Sequence, residues 1–158
     1  MRSVTLVKHS RGAPLLRFLG LGPSLKPIQG IAQLQRLFNQ YTFWAKKRTK
    51  KNIRIMLSTS TAIVTLWNEN QLIGFGRATS DHIYRAVLWD IVVNESFQGE
   101  GYGKLIIEAL LSYKEIKKVE KIYLMTTKQK SFYNQFFFEE VLDQKLLLLN
   151  LNHQNKVS

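Results

Sequence analysis

The stretch "WDIVVNESFQGEGYGK", residues 89–104, places Gly99, Gly101 and Gly103 at alternate positions between an apolar run and a helical pattern. Glycines there let successive backbone amides turn inward and let a bulky anion approach the chain. The first turn of the following helix adds N–H groups without intrahelical partners and the positive end of the helix dipole. Residue types and placement together point to a phosphate-binding anion site. The dinucleotide fingerprint G-x-G-x-x-G fails, because Lys104 or Ile106 falls where its third glycine belongs. The P-loop fails too: Leu105 follows Gly103-Lys104, and Gln98 occupies the first glycine position. What remains is Q-x-x-G-x-G, spelled by Gln98, Gly101 and Gly103.

Two other side chains have proton chemistry. Asp90 lies inside an otherwise apolar strand pattern, where aspartate is disfavoured. It reads as a base, directly or through water, as a counter-charge, or as a structural hydrogen-bond partner of a neighbouring loop. Tyr133 follows Phe132 and precedes the aromatic run 136–138. A phenol with a pKa of about 10 gives up a proton in a reaction only if it is close and well placed. Phenylalanine would pack as well at that position, so a packing role stays open.

The elements that must hold these groups follow from periodicity. Residues 1–30 carry all three prolines and four of the nine glycines and read as irregular or extended. Apolar positions recur at helical spacing over 31–45, and a short helical turn follows around 53–57. "TAIVTLW" (61–67) and "QLIGFGRAT" (71–79) form a hairpin, and 84–93 is a third strand. A helix runs over 101–113, a strand over 121–127, a helix over 129–137 and a final strand, "KLLLLNL", over 145–151. A hairpin followed by a strand–helix–strand crossover implies a mixed sheet. Residues 1–19 read as a basic leader that can be flexible, 20–150 as the domain, and 151–158 as a polar tail.

At 158 residues the chain suits one domain with one core. No apolar run approaches a membrane span, so no membrane partner is expected. Without cysteine, disulfides, thiolate metal sites and a cysteine nucleophile are excluded, and His9, His82 and His153 are too scattered to suggest a metal site. The net charge of +12 is uneven: before Glu69 lie 12 Lys/Arg and no acid, and from Glu69 onward 11 Lys/Arg balance 11 Asp/Glu. The excess is densest at "KKRTKK" (46–51). It reads as a solvated face, a nucleic-acid footprint or a docking surface for an acidic ligand. The acid-free start also has the charge of an organelle transit peptide, but it is short and has only two serines in its first 20 residues.

The Q-x-x-G-x-G loop after an apolar strand resembles the coenzyme A pyrophosphate loop of the GNAT superfamily of N-acetyltransferases. A second motif of that family, F-Y-x-x-x-G-F, is matched by "FYNQFFF" at Phe132, Tyr133 and Phe138, with Phe137 where the glycine belongs. "GLGPS", "LQRLFN", "LIGFGRATSD", "YRAVLWDIVV" and "YLMTT", between residues 20 and 149, are similar to small acetyltransferases of cyanobacteria and plastids. Their relatives include chloroplast enzymes acting on serotonin-type arylalkylamines and on protein amino groups.

The resemblance implies an α/β (α+β) domain whose mixed, mostly antiparallel sheet is flanked by helices and splays open at a central strand pair. It also implies acetyl-CoA as co-substrate and no metal. Ile91, Val92 and Val93 would hold the pantetheine arm through their backbone. Gln98, Gly99, Glu100, Gly101, Tyr102, Gly103 and Lys104 would hold the pyrophosphate, and Thr127 and Tyr133 would also line the coenzyme. Tyr133 would be the general acid and Asp90 the base. Asp81 and Tyr84 are further candidates on the acceptor side, and Trp44, Phe75 and Trp89 could wall it or belong to the core. The partner implied is a small-molecule amine or a protein amino group; nucleic acid is not expected and a homodimer is allowed. The compartment implied is a cyanobacterial cytoplasm or a plastid stroma. Two other readings stay open: a non-catalytic module that senses coenzyme A, and one that binds nucleic acid or another partner through its basic third.

Overall fold

The computed structural model describes residues 3–151, in two compact units, Met1–Met125 and Thr126–Ser158. The first unit holds five strands in sequence order across one sheet: β1 (Val4–His9), β2 (Ala62–Asn68), β3 (Gln71–Ser80), β4 (Arg85–Val93) and β5 (Lys121–Tyr123). β1 to β4 are antiparallel neighbours, and β5 joins β4 in parallel. That parallel pairing needs a crossover, which α4 (Tyr102–Leu111) and α5 (Lys114–Lys117) supply. The α+β architecture and mostly antiparallel sheet match the expectation. So does the splay: β4 and β5 pair only over Arg85–Val87 and Lys121–Tyr123, which leaves that edge of β4 without a strand beyond Val87.

The two faces of the sheet are covered differently. On one, α1 (Pro14–Leu19), α2 (Gly30–Tyr41) and α3 (Lys50–Ser58) bury Leu16, Ile31, Leu34, Leu37, Phe38, Ile53 and Leu57 against Ile63, Trp67 and Phe75. On the other, α4 packs Ile106 and Leu110 over Gly74 and Gly76 of β3. A Cβ built on Gly76 would stand 2.5 Å from Ile106 Cγ2 and 3.1 Å from Leu110 Cδ1. The absent side chain there is what lets α4 lie close to the sheet.

Four expectations change in the structure. Residues 1–30, expected to be irregular or extended, are extended at Val4–His9, which pairs with β2, but also hold a helix: Pro14 starts α1 at its first position, where a missing N–H costs nothing. The short turn near 53–57 is a nine-residue helix, started by Thr49, whose hydroxyl accepts the Asn52 N–H. The final strand over 145–151 is not formed. β-propensity alone does not make a strand, because the ladder bonds need a partner edge. In the second unit α6 (Lys130–Asn134) is shorter than expected, and no residue over 126–151 is buried. Residues 152–158 of the expected polar tail lie outside the described residues.

One buried polar chain ties β1 to β2. Trp67 Nε1 donates to Thr65 Oγ1 at 2.8 Å, and His9 Nε2 lies 2.8 Å from the same hydroxyl. Burial lowers the His9 pKa from 6.5 to about 4. The unfolded chain therefore binds this proton first as pH falls, so the folded state loses stability from pH 6.5 down to about 4. Denaturant midpoints across that window should fall in the wild type and flatten in His9→Gln. Separately, Gly76→Ala should cost about 1–3 kcal/mol by overpacking against Ile106, read as an urea midpoint shift at unchanged slope.

Candidate active site

The strand β4 contains the structural centre of the site. Phe75 opposes Val92 and Arg77 opposes Trp89, so two steps on β3 face three on β4. The extra residue makes a β-bulge, and within it Asp90 adopts a left-handed φ of 54°. Beyond the bulge the Asn94 N–H donates to the Ile73 carbonyl on β3. By the two-residue alternation of a strand, Val92 also turns toward β3, while the backbone of Ile91 and Val93 turns to the edge that β5 leaves open.

The Asp90 carboxylate holds this kink. Its Oδ2 accepts from Arg77 Nε at 2.8 Å and pairs with Arg48 Nη1 at 3.0 Å, and its Oδ1 accepts from Trp44 Nε1 at 3.1 Å. The side chain is only 4% exposed. Burial pushes its pKa up, but the Arg48 hydrogen bond and the Arg77 charge outweigh burial and hold it below the usual carboxylate value. Neither arginine was singled out from sequence. The signal available was an aspartate at a strand centre in a chain whose preceding third is wholly basic.

The glycine loop follows β4 through a 3-10 turn, Glu95–Phe97, capped by the Asn94 side chain on Ser96 N–H. Gln98 Nε2 donates to the Val93 carbonyl at 2.9 Å, binding the loop to the open edge of the strand. Gly99 and Gly101 have φ of 79° and 86°, and a Cβ built on either meets nothing within 4 Å. Glycine is required there by backbone conformation, and the space beside it is empty. Gly101 caps α4 with no side-chain bond, and Tyr102, Gly103 and Lys104 form its first turn. Lys104 lies 3.7 Å from Glu108, both exposed. Glu100 is exposed on the loop.

The remaining candidates separate. Phe75 is fully buried and meets Phe38 edge-on at 5.4 Å, so it belongs to the core. Trp89 is half-buried, with Nε1 donating to Thr79 Oγ1. Trp44 is 47% exposed and stands edge-on to Phe43, which is 72% exposed. Asp81 accepts backbone N–H bonds from Arg85, Ile83 and Tyr84, which hold its pKa down and make it the staple of the β3–β4 turn. Tyr84 is exposed in that turn.

Thr127 and Tyr133 belong to the second unit. Tyr133 lies on α6, edge-on to Phe132 at 5.0 Å and to Phe138 at 6.1 Å, and burial raises its phenol above the ordinary value. Phe137, in the position of the motif glycine, has φ 66° and is 95% exposed. It adopts the left-handed backbone that glycine would, at a cost of about 1 kcal/mol.

An antiparallel sheet opened beside a bulged strand, with a glycine loop and helix start at its mouth, defines an acetyltransferase-type α+β fold. The description "Acetyltransferase (GNAT) family" matches residues 31–143, and the chain belongs to that family. It is 38% identical over 81 residues to the uncharacterized N-acetyltransferase ycf52 of Porphyra purpurea, covering 49% of this chain and 45% of that protein. It is 39% identical over 72 residues to the chloroplastic GCN5-related N-acetyltransferase 2 of Arabidopsis thaliana, covering 45% of this chain and 28% of that protein. The chain thus spans about half or less of the length of these relatives. A Staphylococcus aureus protein of unknown function has the same fold at TM-score 0.72 and 22% identity, over 94% of this chain and 99% of that one. A GNAT family acetyltransferase of Streptococcus pneumoniae has it at TM-score 0.69 and 17% identity, over 94% and 99%.

Asp90→Asn keeps the shape of the carboxylate and removes its charge. It should cost about 3 kcal/mol at neutral pH, the low end for a buried ion pair because Arg48 is partly exposed. The folded-state pKa is depressed, so this stabilisation is present above about pH 3.9 and is lost as pH falls through the lower folded value. Unfolding curves of the two proteins should converge in acid, and Trp44 emission should shift in the variant at pH 7.

Proposed function

We propose that the protein transfers an acetyl group from acetyl-CoA directly to a primary amine. The observation that carries this reading is the open edge of β4, where Ile91 and Val93 turn their backbone away from β3 beside the Gln98–Lys104 loop. The loop fits a pyrophosphate: two left-handed glycines with empty space beside them lead into a helix start whose cap residue, Gly101, has no side chain of its own. Bound acetyl-CoA would supply an acetyl group already activated as a thioester.

This chain's residues would do the rest. The Ile91 and Val93 amides hold the pantetheine arm and polarise the acetyl oxygen, the kind of fixed-dipole contribution that dominates acyl transfer. The amides over 98–104 hold the phosphates, with Lys104 as a point charge. Coenzyme A carries roughly four negative charges at neutral pH, so these dipoles have a counterpart. Thr127 would line the arm, and Tyr133 Oη would give its proton to the sulfur as the C–S bond breaks. The amine would lose one proton to water before attack and a second as the C–N bond forms, and that second proton would restore the phenol through water. The raised phenol pKa keeps that proton in place over the physiological range.

Asp90 takes the structural role among those open for it. A carboxylate held down by two guanidinium groups is a poor proton acceptor, and its place is to fix the bulge that aims Ile91. Phe137 keeps the turn its glycine counterpart would make, which leaves a coenzyme-sensing role without its one sequence argument. Relatives named as chloroplastic, and another from Prochlorococcus marinus, support a plastid or cyanobacterial setting.

Thiol release from acetyl-CoA, with serotonin, tryptamine and peptides as acceptors, tests the reading. Amine-dependent release should appear, and Tyr133→Phe should lower kcat by about 10²–10⁴-fold. A rate indifferent to that substitution would remove Tyr133 as the acid. Acetyl-CoA binding without turnover on any amine would remove the transferase.

A further inference from the structure

The loop 42–49 and the start of α3 carry Lys46, Lys47, Arg48, Lys50, Lys51 and Arg54 on one run of chain. All but Arg48 are exposed, and among the described residues only Arg48 has a carboxylate within ion-pair distance, that of Asp90. No acidic residue precedes Glu69, so a counter-charge for this surface has to come from later in the chain, and among the described residues Asp90 alone supplies one within ion-pair distance. Lys50 and Lys51 also occupy the first two positions of α3, with no acid in that turn. Cations there oppose the helix dipole, which favours acidic residues at that end. The chain keeps charges that its own helix disfavours.

The run is also anchored to the site. Asn39 Oδ1 accepts the Lys47 N–H, Gln35 Nε2 donates to the Arg48 carbonyl, and Trp44 and Arg48 both hold Asp90 at the bulge. The basic surface therefore begins where the β4 bulge presents its reacting edge, on the sheet face covered by α2 and α3. The glycine loop leads into α4, which covers the opposite face. Phe43 and Trp44 are exposed just before the charges in the chain, edge-on to each other, and Trp44 reaches the bulge through Asp90.

We propose that this surface docks the acceptor, and that the acceptor is a polypeptide whose amino group lies next to acidic residues. The inference rests on the transferase reading above and narrows its acceptor class. A free arylalkylamine is a cation and gains nothing from five or six like charges at the entrance. A flexible segment rich in Asp and Glu is drawn in by them, while the apolar part of its reacting residue rests on Phe43 and Trp44. The steering reaches about 8 Å at physiological salt, enough to act across a docking site but not across the whole molecule.

The test uses the full chain and the combined substitution Lys46→Glu, Lys47→Glu, Lys50→Glu and Lys51→Glu. None of these residues holds the coenzyme or the bulge. Equal-length fluorescein-labelled peptides with one primary amine and acidic, neutral or basic flanks are followed by anisotropy and by thiol release. The wild type should bind the acidic peptide at least roughly tenfold more tightly than the neutral one, with a difference that shrinks as salt rises. The variant should lose that preference through KM while keeping kcat and its KM for acetyl-CoA. Its melting temperature should not fall, since the new glutamates suit the start of α3.

Equal binding of the three peptides, or a preference that survives the four reversals, overturns the proposal. A KM for acetyl-CoA that rises with the loss assigns the charges to the coenzyme and overturns it too. So does an oligonucleotide that binds more tightly than the acidic peptide and is lost in the same variant. Charge-dependent peptide binding with no turnover on any amine would sink the transferase reading and leave the docking surface standing.

Discussion

The carboxylate of Asp90 is the interaction on which the site depends. It sits at a left-handed residue in the middle of a strand, a conformation that L residues other than glycine adopt at a cost. Arg48, Arg77 and Trp44 approach it from a loop and a neighbouring strand and satisfy both of its oxygens. The strain of the bulge and the cost of burying a charge are thus met by one set of contacts. Without the bulge, the strand would keep its ordinary two-residue alternation, which would turn the backbone beyond Asp90 to the opposite edge.

The sheet around that point divides its labour by face. α4 lies close to β3 because Gly74 and Gly76 give it room, and its start carries the glycine loop. The opposite face holds the large apolar core of α1, α2 and α3 and the basic run above it. Gln98 joins the loop to the strand end through the Val93 carbonyl, so the glycine loop and the open edge of β4 are tied directly to each other. A shift of α4 would therefore be felt at the bulge.

Much of this was legible in the residues, for reasons that differ from element to element. The hairpin and β4 announce themselves through β-branched and aromatic runs broken by a polar turn, and the glycine loop through spacing that only a few backbones require. β1 was missed because prolines and glycines nearby outweighed a six-residue apolar alternation, and its partner lies more than 50 residues away. The leucines over 145–149 satisfied every local sign of a strand yet form none, since a ladder is a property of two chains' edges. The arginine clamp was invisible because nothing in a single sequence pairs residues 48, 77 and 90. Asp90 showed as an anomaly, and its meaning came only with its partners.

Gly99 and Gly101 bear on how the loop can change over time. Space beside both is open, so what excludes a side chain there is handedness and not bulk. A residue of mirror-image configuration would fit either position without displacing an atom, whereas the twenty encoded amino acids offer only glycine free of that penalty. The loop is thus closed to gradual exploration at those two positions. Variation along the loop then falls to positions such as Glu100, Tyr102 and Lys104, where an L side chain brings no such handedness penalty.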